Sequence, residues 1–388
     1  MHNQIKSIRK IPLVLLGSRI FMSSSFAQVQ IYHQLKYFFS LIFVINFCCC
    51  NSQISEPGSQ VTSTRSELLI KIEKHDAAVH LMDDWMRDPY IMVGPDRFYY
   101  LIVTQFDNEA KGIGFPLWRS ADLVNWEYLG IPYTLKNSSF YDEFVKLNST
   151  NLRLWAPEIS YKNNKWIIVH TTNSKMSNLA IAEGDGVLKA PFLDWGYNVF
   201  GQRHDPSLFT DDDGSQYLVY GATWLQKIKS DFSGYESPEV PIRPSDRKIG
   251  HEGSFILKIG NKYALFGTAW SRDTLRRGTY NLYYCTADKV TGPYGPRRFA
   301  GRCLGHGTIF RDKDGKWWCT AFMNGTFVDP VQVVNDGVEI NIATTINRQG
   351  LTLVPMEIKM INGDVYVRAL DPNYEKPGKE EIQKFDIR

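Results

Sequence analysis

Five segments of this sequence share one layout, and the repetition restricts the fold more than any other feature. Each segment opens with a residue before Pro or Gly, followed by a short apolar run, a Gly, Asn or Asp turn, an aromatic residue and a second apolar run. A turn between two apolar runs predicts a β-hairpin. The segments are RDPYIMVGPDRFYYLIV from Arg87, APEISYKNNKWIIVHT from Ala156, HDPSLFTDDDGSQYLVY from His204, HEGSFILKIGNKYALFG from His251 and GHGTIFRDKDGKWWCTAF from Gly305.

The hairpins recur about every 50 residues, a period typical of β-propellers. Further strand candidates, such as LWRSADLVNWEYLG and NLYYCTADKVTGPYG, lie between the hairpins. We find no long amphipathic helix pattern and no βαβ alternation after the first 74 residues. The sequence therefore predicts an all-β fold, a single five-bladed β-propeller domain over residues 75–388.

Residues 1–50 and 51–74 differ from the rest of the chain. Lys36 precedes the apolar run YFFSLIFVINF, which ends at Cys48, Cys49 and Cys50. This run is shorter than the roughly 20 apolar residues of a membrane-spanning helix. A basic residue, a short apolar core and a cysteine predict an export signal over residues 1–50, with a lipoprotein type as one form and Met22 as an alternative start. Residues 51–74 are polar and predict a linker.

Composition excludes several classes of protein. A formal net charge of +3, without a basic block interleaved with aromatic residues, argues against a nucleic-acid partner. Beyond residue 50 only Cys285, Cys303 and Cys319 remain, too few for a disulfide framework, and we expect buried thiols. We expect an exported protein: periplasmic, secreted, or anchored by lipid to the outer membrane. The oligomeric state is not readable from the sequence.

The innermost strands of a propeller line one central channel, so equivalent positions in the five hairpins should meet at one end of it. Aligned before the Pro or Gly, these positions hold Asp88, Ala156, Asp205, Glu252 and His306. Three carboxylates brought together repel one another and are costly to desolvate. Such a cluster is not needed for folding, and this leaves catalysis, a metal site or a cation pocket.

Paired carboxylates across a pocket suit glycoside hydrolysis, in which one acts as a base and the other as an acid. A two-metal hydrolase would need more histidines at ligand spacing than His204, His251 and His306 provide. The sequence contains no Gly-x-Ser-x-Gly elbow and no phosphate-binding loop.

The ordered set RDP, WAPE, HDPSLFTDDDG and HEGS resembles the signature segments of glycoside hydrolase family 43. SADLVNWEYLG and ADKVTGPYG also resemble that family, so the resemblance spans about residues 80–325. It implies a five-bladed propeller glycosidase that acts on arabinans, xylans or galactans with inversion at the anomeric carbon. Two departures are visible: Glu-Gly-Ser replaces the usual Glu-Gly-Pro at Glu252, and SRDTLRRGTYN from Ser271 is an insertion.

The resemblance implies a role for each acid. Asp88 would be the general base that activates water, Glu252 the general acid, and Asp205 the carboxylate that tunes and orients Glu252. His306 would face a calcium or sodium ion, or an ordered water, in the channel. No cofactor is required for the chemistry.

Sugar faces stack on aromatic rings, and arginines bind hydroxyl and acid groups. The residues nearest the predicted inner-strand ends, and in the insertion, give the candidate substrate contacts Trp155, Trp270, Arg87, Phe106 and Arg272. We expect an exo-acting α-L-arabinofuranosidase or β-xylosidase, with a galactosidase also open. The alternatives are a non-catalytic carbohydrate-binding propeller and a related propeller glycosidase such as an anhydrogalactosidase.

Overall fold

The computed structural model describes residues 63–106, 112–137, 141–148, 152–173, 179–184, 192–194, 203–334 and 342–382. Residues 61–388 form one compact unit. The predicted export signal and the first half of the predicted linker, residues 51–62, lie outside the described residues. Within the described residues, no helix combines the length and apolar character needed to cross a membrane.

The last ten residues of the predicted linker form helix α1 (Arg65–Lys74). Thr64 caps this helix, because its hydroxyl accepts a hydrogen bond from the Glu67 amide while the Glu67 carboxylate accepts one from the Thr64 amide. This reciprocal capping box satisfies two amides at the helix start. Residues 65–74 of the predicted linker are therefore helical, and strand β1 (Val79–Met82) follows the helix.

Four sheets of four antiparallel strands follow in chain order, each one blade. Blade 1 contains β2 (Arg87–Val93), β3 (Tyr99–Thr104), β4 (Gly114–Ser120) and β5 (Trp126–Thr134). A 3-10 turn (Leu135–Asn137) and α2 (Tyr141–Asn148) lead to blade 2, with β6 (Leu154–Lys162), β7 (Lys165–Thr172), β8 (Leu179–Glu183) and β9 (Leu193–Asp194). Blade 3 contains β10 (Ser207–Thr210), β11 (Gln216–Tyr220), β12 (Trp224–Ile228) and β13 (Val240–Pro241). Blade 4 contains β14 (Glu252–Ile259), β15 (Lys262–Trp270), β16 (Tyr280–Ala287) and β17 (Arg298–Gly301).

The fifth blade joins both ends of the domain. Its strands β18 (Ile309–Arg311), β19 (Trp317–Ala321) and β22 (Leu351–Ile361) are completed by β1, which pairs antiparallel with β22. β23 (Asp364–Ala369) pairs antiparallel with β22, and α4 (Pro372–Glu375) follows. Between β19 and β22 lie β20 (Thr326–Phe327), α3 (Pro330–Val334) and β21 (Thr344–Thr345), with β20 and β21 parallel. The five-bladed propeller is confirmed.

Five apolar clusters fill the interfaces between neighbouring blades. Alternate side chains of β15 show why its sequence is apolar throughout: Ala264 and Phe266 pack toward blade 5, while Tyr263 and Leu265 pack toward blade 3. A strand buried on both faces needs apolar residues at successive positions. Cys285, Cys303 and Cys319 are buried free thiols, as expected.

A buried ion pair fastens the segment after α4 to blade 4. The Arg302 guanidinium donates to both Glu380 carboxylate oxygens, at 2.8 Å from Nε to Oε1 and 2.7 Å from Nη2 to Oε2. The Thr279 hydroxyl also donates to Glu380 Oε1 at 2.7 Å. Both charged side chains are less than one tenth exposed. Each charge is therefore compensated by its partner rather than by water.

Candidate active site

The start of each inner strand has an unusual backbone. At this place each blade has one residue with a positive φ: Asp88 (50°), Ala156 (48°), Asp205 (43°), Gly253 (60°) and His306 (60°). Non-glycine residues seldom occupy this region, and such outliers concentrate at functional sites. We call these residues the second pocket positions, and the residues directly before them the first pocket positions: Arg87, Trp155, His204, Glu252 and Gly305.

A β-bulge explains how two consecutive residues face one cavity. In blade 1 Arg87 pairs with Thr104 and Tyr90 with Ile102, so two residues of β2 lie opposite one residue of β3. The register of β6 against β7 and of β14 against β15 shifts at the equivalent place. Side chains normally alternate between the two faces of a strand, and the extra residue removes this alternation.

Blade 4 departs from the alignment made on the sequence. Glu252 was aligned with Asp88 and Asp205, but the backbone equivalent of these residues is Gly253, and Glu252 occupies a first pocket position. A Cβ atom on Gly253 would lie 2.7 Å from the His306 ring, and its φ of 60° favours glycine. In blade 4 the His306 ring of blade 5 therefore occupies the space that a side chain at position 253 would need. The acid of blade 4 is the preceding residue, Glu252.

A cavity of about 360 Å³ opens above these positions. Four of its lining residues are the predicted acids and the predicted axial histidine, and three are predicted substrate contacts. The lining comprises Arg87, Asp88, Phe106, Trp155, Thr171, His204, Asp205, Glu252 and His306. Asp88 and Asp205 are almost fully buried, whereas His204 is about half exposed, at 53% of its side chain.

Two predicted substrate contacts do not line the cavity. Trp270 is only 3% exposed and stacks on Tyr280 with ring centroids 4.5 Å apart, so it packs in the core. Arg272 is exposed in the loop between β15 and β16, and it is not part of the lining. Arg87 lies with its guanidinium carbon 5.5 Å from the Phe322 ring centroid, and Phe106 packs beside Trp85 at 5.6 Å.

His306 lies among all three acids. Its Nδ1 is 3.2 Å from Asp88 Oδ1 and 4.0 Å from Glu252 Oε1, while its Nε2 is 3.5 Å from Asp205 Oδ2. Burial lowers the pKa of His306, but the negative charges of Asp88, Asp205 and Glu252 raise it above its ordinary value overall. The three acids thus favour the protonated form of His306, whose positive charge offsets the carboxylate repulsion that the sequence predicts.

His306 has no ring nitrogen available for the predicted calcium or sodium ion. Both ring nitrogens face carboxylate oxygens, so a calcium or sodium ion would have to replace one of these contacts. Donor atoms of His204, Asp205 and Glu252 also lie within 4.8 Å of one another. In the structure His204 also forms ion pairs with both carboxylates, at 3.5 Å to Asp205 and 3.3 Å to Glu252. The ion stays a prediction, and no chemical step below depends on it.

Hydrogen bonds from neighbouring blades hold Asp205. The Thr171 hydroxyl lies 2.8 Å from Asp205 Oδ1 and accepts the Asp205 amide at 2.6 Å. The other carboxylate oxygen of Asp205, Oδ2, accepts a hydrogen bond from the Gly253 amide at 3.3 Å. Gly253 directly follows Glu252 in the chain. Burial is the largest influence on Asp205 and raises its pKa, against the lowering effect of His306 and His204.

Glu252 is held at both carboxylate oxygens. The Tyr280 hydroxyl donates to Oε1 at 2.7 Å, and His204 Nε2 lies 3.3 Å from Oε2. Burial raises the pKa of Glu252, but the hydrogen bonds with His204 and Tyr280 and the charge of His306 outweigh it and lower the pKa to about 2. For His204 the hydrogen bond to Glu252 is the largest influence and raises its pKa to about 9.

The sequence analysis did not assign His204, Thr171 or Tyr280 to the site. Of these, only His204 carried a signal that could have been read. It precedes Asp205 as Glu252 precedes Gly253, so an alignment on the bulge places both in first pocket positions.

A smaller cavity of about 20 Å³ lies beside the same acids. It has room for about one water molecule. Glu158 lines it together with Asp88, Asp205 and His306. Burial raises the pKa of Glu158 to about 8, although hydrogen bonds from Ser207 and Leu208 lower it. The Glu158 carboxyl is therefore mainly protonated at neutral pH.

Comparisons with known proteins agree with this geometry. The chain is 23% identical over 254 residues to an extracellular endo-α-(1→5)-L-arabinanase of Bacillus subtilis, covering 61% of this chain and 75% of that protein. It is 25% identical to an extracellular exo-α-(1→5)-L-arabinofuranosidase of Cellvibrio japonicus, covering 54% of this chain and 68% of that protein. A β-xylosidase of Bacillus subtilis is 26% identical, and the match covers 60% of this chain but about half, 46%, of that longer protein.

Solved structures share the fold. An endo-1,4-β-xylanase structure from Bacteroides thetaiotaomicron superposes with a TM-score of 0.54 at 20% identity, covering 77% of this chain and 99% of that chain. An α-L-arabinofuranosidase structure from Clostridium thermocellum superposes with a TM-score of 0.51 at 17% identity, covering 75% of this chain and 95% of that chain. The family model described as glycosyl hydrolases family 43 matches residues 82–327, and the chain therefore belongs to this family of glycoside hydrolases.

Proposed function

We propose that this protein is an inverting exo-glycosidase that removes a terminal sugar from plant or algal polysaccharide side chains or oligosaccharides. The preferred sugar is an arabinofuranosyl or xylosyl residue, and a galactosyl residue is the further option. The observation that carries the proposal is the cavity itself, in which three carboxylates from three blades surround one space of about 360 Å³. Relatives in the same family act on arabinan and xylan linkages, as their names state.

In this reaction Asp88 takes a proton from the attacking water and Glu252 gives a proton to the leaving oxygen. Asp205 acts through Glu252, and the hydrogen bond from the Gly253 amide to Asp205 Oδ2 supports this role, because it fixes the backbone next to the acid. The Tyr280 hydroxyl on Glu252 Oε1 restrains the other side of the same carboxyl group.

The separation of the two acids is consistent with inversion. Asp88 Oδ1 and Glu252 Oε1 are 3.2 and 4.0 Å from the same His306 nitrogen, so these oxygens are at most about 7 Å apart, which reaches the range of about 6.5–9.5 Å for inverting enzymes. Retaining enzymes, at about 5–5.5 Å, also fall within this bound, so the anomer of the product decides between them.

The size of the cavity supports exo action. Ligand sites typically measure about 300–1,000 Å³, and this cavity lies at the small end of that range. A single terminal sugar fits such a space better than several consecutive residues of a chain do. Trp155, Phe106 and Arg87 supply the aromatic faces and the hydrogen-bond donor that a sugar ring needs.

The proposal is tested with a panel of aryl glycosides, oligosaccharides and polysaccharides, with product analysis and NMR of the anomer first released. We expect one terminal sugar as the product, in the inverted configuration. Glu252→Gln is expected to lose about 10²–10⁴-fold in kcat on substrates with poor leaving groups. A non-catalytic carbohydrate-binding propeller would bind without turnover in both proteins, and a retained anomer would remove Asp88 from its role as base.

Trp155 and Trp270 form a matched pair for testing substrate contact. We expect Trp155→Ala to raise KM at least about tenfold, because a sugar would lose its stacking surface at the cavity wall. Trp270→Phe is expected to leave KM unchanged, because the ring packs on Tyr280 away from the cavity. Steady-state kinetics on the substrate found in the panel measure both, and an unchanged KM in Trp155→Ala would exclude it from the sugar site.

We also propose that the protein is exported, with lipid anchoring as one form of export. The Bacillus arabinanase and the Cellvibrio arabinofuranosidase are both named extracellular, and residues 1–50 of this chain have the pattern of an export signal. Fractionation of cells that express the full chain, with mass spectrometry of the mature N-terminus, tests this proposal.

A further inference from the structure

We propose that His204 holds the proton that Glu252 delivers to the leaving oxygen, so that the acid of this enzyme is a histidine–glutamate pair rather than one carboxyl group. The proposal rests on the glycosidase function above. His204 does not touch the reacting atoms in this scheme; it acts through Glu252 and is a positioning residue.

The geometry that carries the inference is the occupation of both Glu252 oxygens. Oε1 accepts the Tyr280 hydroxyl at 2.7 Å, and Oε2 lies 3.3 Å from His204 Nε2. The Tyr280 hydroxyl is itself 2.8 Å from the Thr268 hydroxyl, which fixes its direction. A carboxylate with a donor at each oxygen is in its ionised, accepting state, yet a general acid must have a proton to give.

The blade architecture explains why these two residues meet. Both occupy first pocket positions, His204 in blade 3 and Glu252 in blade 4, and both side chains line the same cavity. His204 is 53% exposed and can exchange protons with solvent, whereas Glu252 is 28% exposed. His204 is therefore the more exposed member of the pair and can be reprotonated directly from solvent.

The electrostatics agree with this placement of the proton. Two carboxylates face His204: Glu252 Oε2 lies 3.3 Å from its Nε2, and Asp205 Oδ1 lies 3.5 Å from its Nδ1. Asp88 is a more distant negative charge. The hydrogen bond to Glu252 raises the pKa of His204 to about 9, while the pKa of Glu252 falls to about 2. One proton shared by the pair consequently resides on the imidazole at neutral pH.

The proton balance of one turnover follows from these positions. When the glycosidic oxygen lies against Glu252, the proton moves from His204 Nε2 to Glu252 Oε2, and from Glu252 to the leaving oxygen as the C–O bond breaks. Water forms the new C–O bond and loses one proton to Asp88. His204 is then reprotonated from solvent, Asp88 releases its proton to solvent, and no other reactant is needed.

The pair predicts the position of the alkaline limb of the pH profile. A histidine whose pKa is raised to about 9 keeps its proton up to that pH, so the alkaline fall of kcat/KM should lie near pH 9. In His204→Asn, Glu252 would have to hold the proton itself, and we expect this limb to move at least about two pH units toward acid.

A leaving-group comparison separates proton supply from a purely structural role. We expect His204→Asn to lose at least about 10²-fold in kcat/KM on the disaccharide of the sugar that the wild type releases. The 2,4-dinitrophenyl glycoside of that sugar has a leaving group, 2,4-dinitrophenolate, that departs without protonation. For this substrate kcat/KM should change less than about threefold. Trp155→Ala, at the first pocket position of blade 2, is the matched control and should affect both substrates alike.

His204→Gln serves as a second variant at the same position. Near-UV circular dichroism checks that each variant is folded. Dialysis against EDTA before each pH profile removes bound cations. Equal losses on both substrates with an unmoved alkaline limb would overturn the inference while leaving the glycosidase function intact. A wild-type protein without turnover on any substrate would instead overturn the proposed function.

Discussion

Asp88→Asn is expected to lower kcat by about 10²–10⁴-fold on every substrate that the wild type hydrolyses, whatever the leaving group. The amide cannot take a proton from the attacking water, so loss of the base affects activated and unactivated substrates equally. Asparagine tolerates the φ of 50° at this position, so the backbone of the bulge should persist. Steady-state kinetics on the aryl glycoside and the disaccharide measure the effect.

The control for this variant is Asp213→Asn, in the exposed turn between β10 and β11. Asp213 Oδ1 accepts the Ser215 amide, a hydrogen bond that asparagine can also accept, and we expect unchanged activity. Azide added to Asp88→Gly supplies a nucleophile that needs no base, and it should yield a glycosyl azide of inverted configuration. Wild-type activity in Asp88→Asn would show that another group activates the water.

Arg302→Met is expected to cost about 3–5 kcal/mol of the free energy of unfolding, because it leaves the buried Glu380 carboxylate without its cation. The double variant Arg302→Met/Glu380→Leu removes both charges and should recover most of this loss. The remainder reflects the Thr279 hydroxyl, which loses its acceptor, at about 1–3 kcal/mol. Denaturant unfolding of the three proteins measures these differences.

The comparison of single and double variants decides what holds the segment after α4. If the double variant is as unstable as Arg302→Met, the ion pair itself stabilises the fold and desolvation is a minor cost. If Arg302→Met matches the wild type, the segment contributes little to global stability. Lys227→Met, which removes a partly exposed ion pair with Glu236, is the surface control and should leave the free energy of unfolding nearly unchanged.

The propeller could be predicted from the sequence because its repeat unit is local. A hairpin with a Gly or Asp turn and buried apolar strands is readable from about 17 consecutive letters, and the period of about 50 residues gives the number of blades. The convergence of Asp88, Asp205, Glu252 and His306 on one cavity followed from the same repetition.

The register of blade 4 could not be predicted with the same certainty, because a φ angle is not written in the sequence. Asp-Pro, Ala-Pro and His-Gly mark the left-handed residue in other blades, whereas Glu-Gly-Ser places it on the glycine. The clash between a Gly253 side chain and the His306 ring is a contact across blades that no local pattern reports.

Other differences have separate physical origins. Trp270 stacks on Tyr280 because strands β15 and β16 pair there, and the paths of the loops after β15 and β19 depend on tertiary contacts. Helix α1 did carry a readable signal: Thr64 and Glu67 have the spacing of a capping box, although the surrounding polar composition suggested a linker.

Two adjacent residues at the start of an inner strand can line one cavity, and this has a consequence for how such a site diversifies. In blades 1 and 3 both side chains do so, Arg87 with Asp88 and His204 with Asp205, so an acid, a cation or an aromatic ring can be exchanged at either position without moving a strand. Arg87, Trp155, His204 and Glu252 show four different chemistries at one such position. Specificity can thus change through single codons on an unaltered scaffold, and a saturation library of these neighbouring residue pairs is a compact route to new sugar preferences.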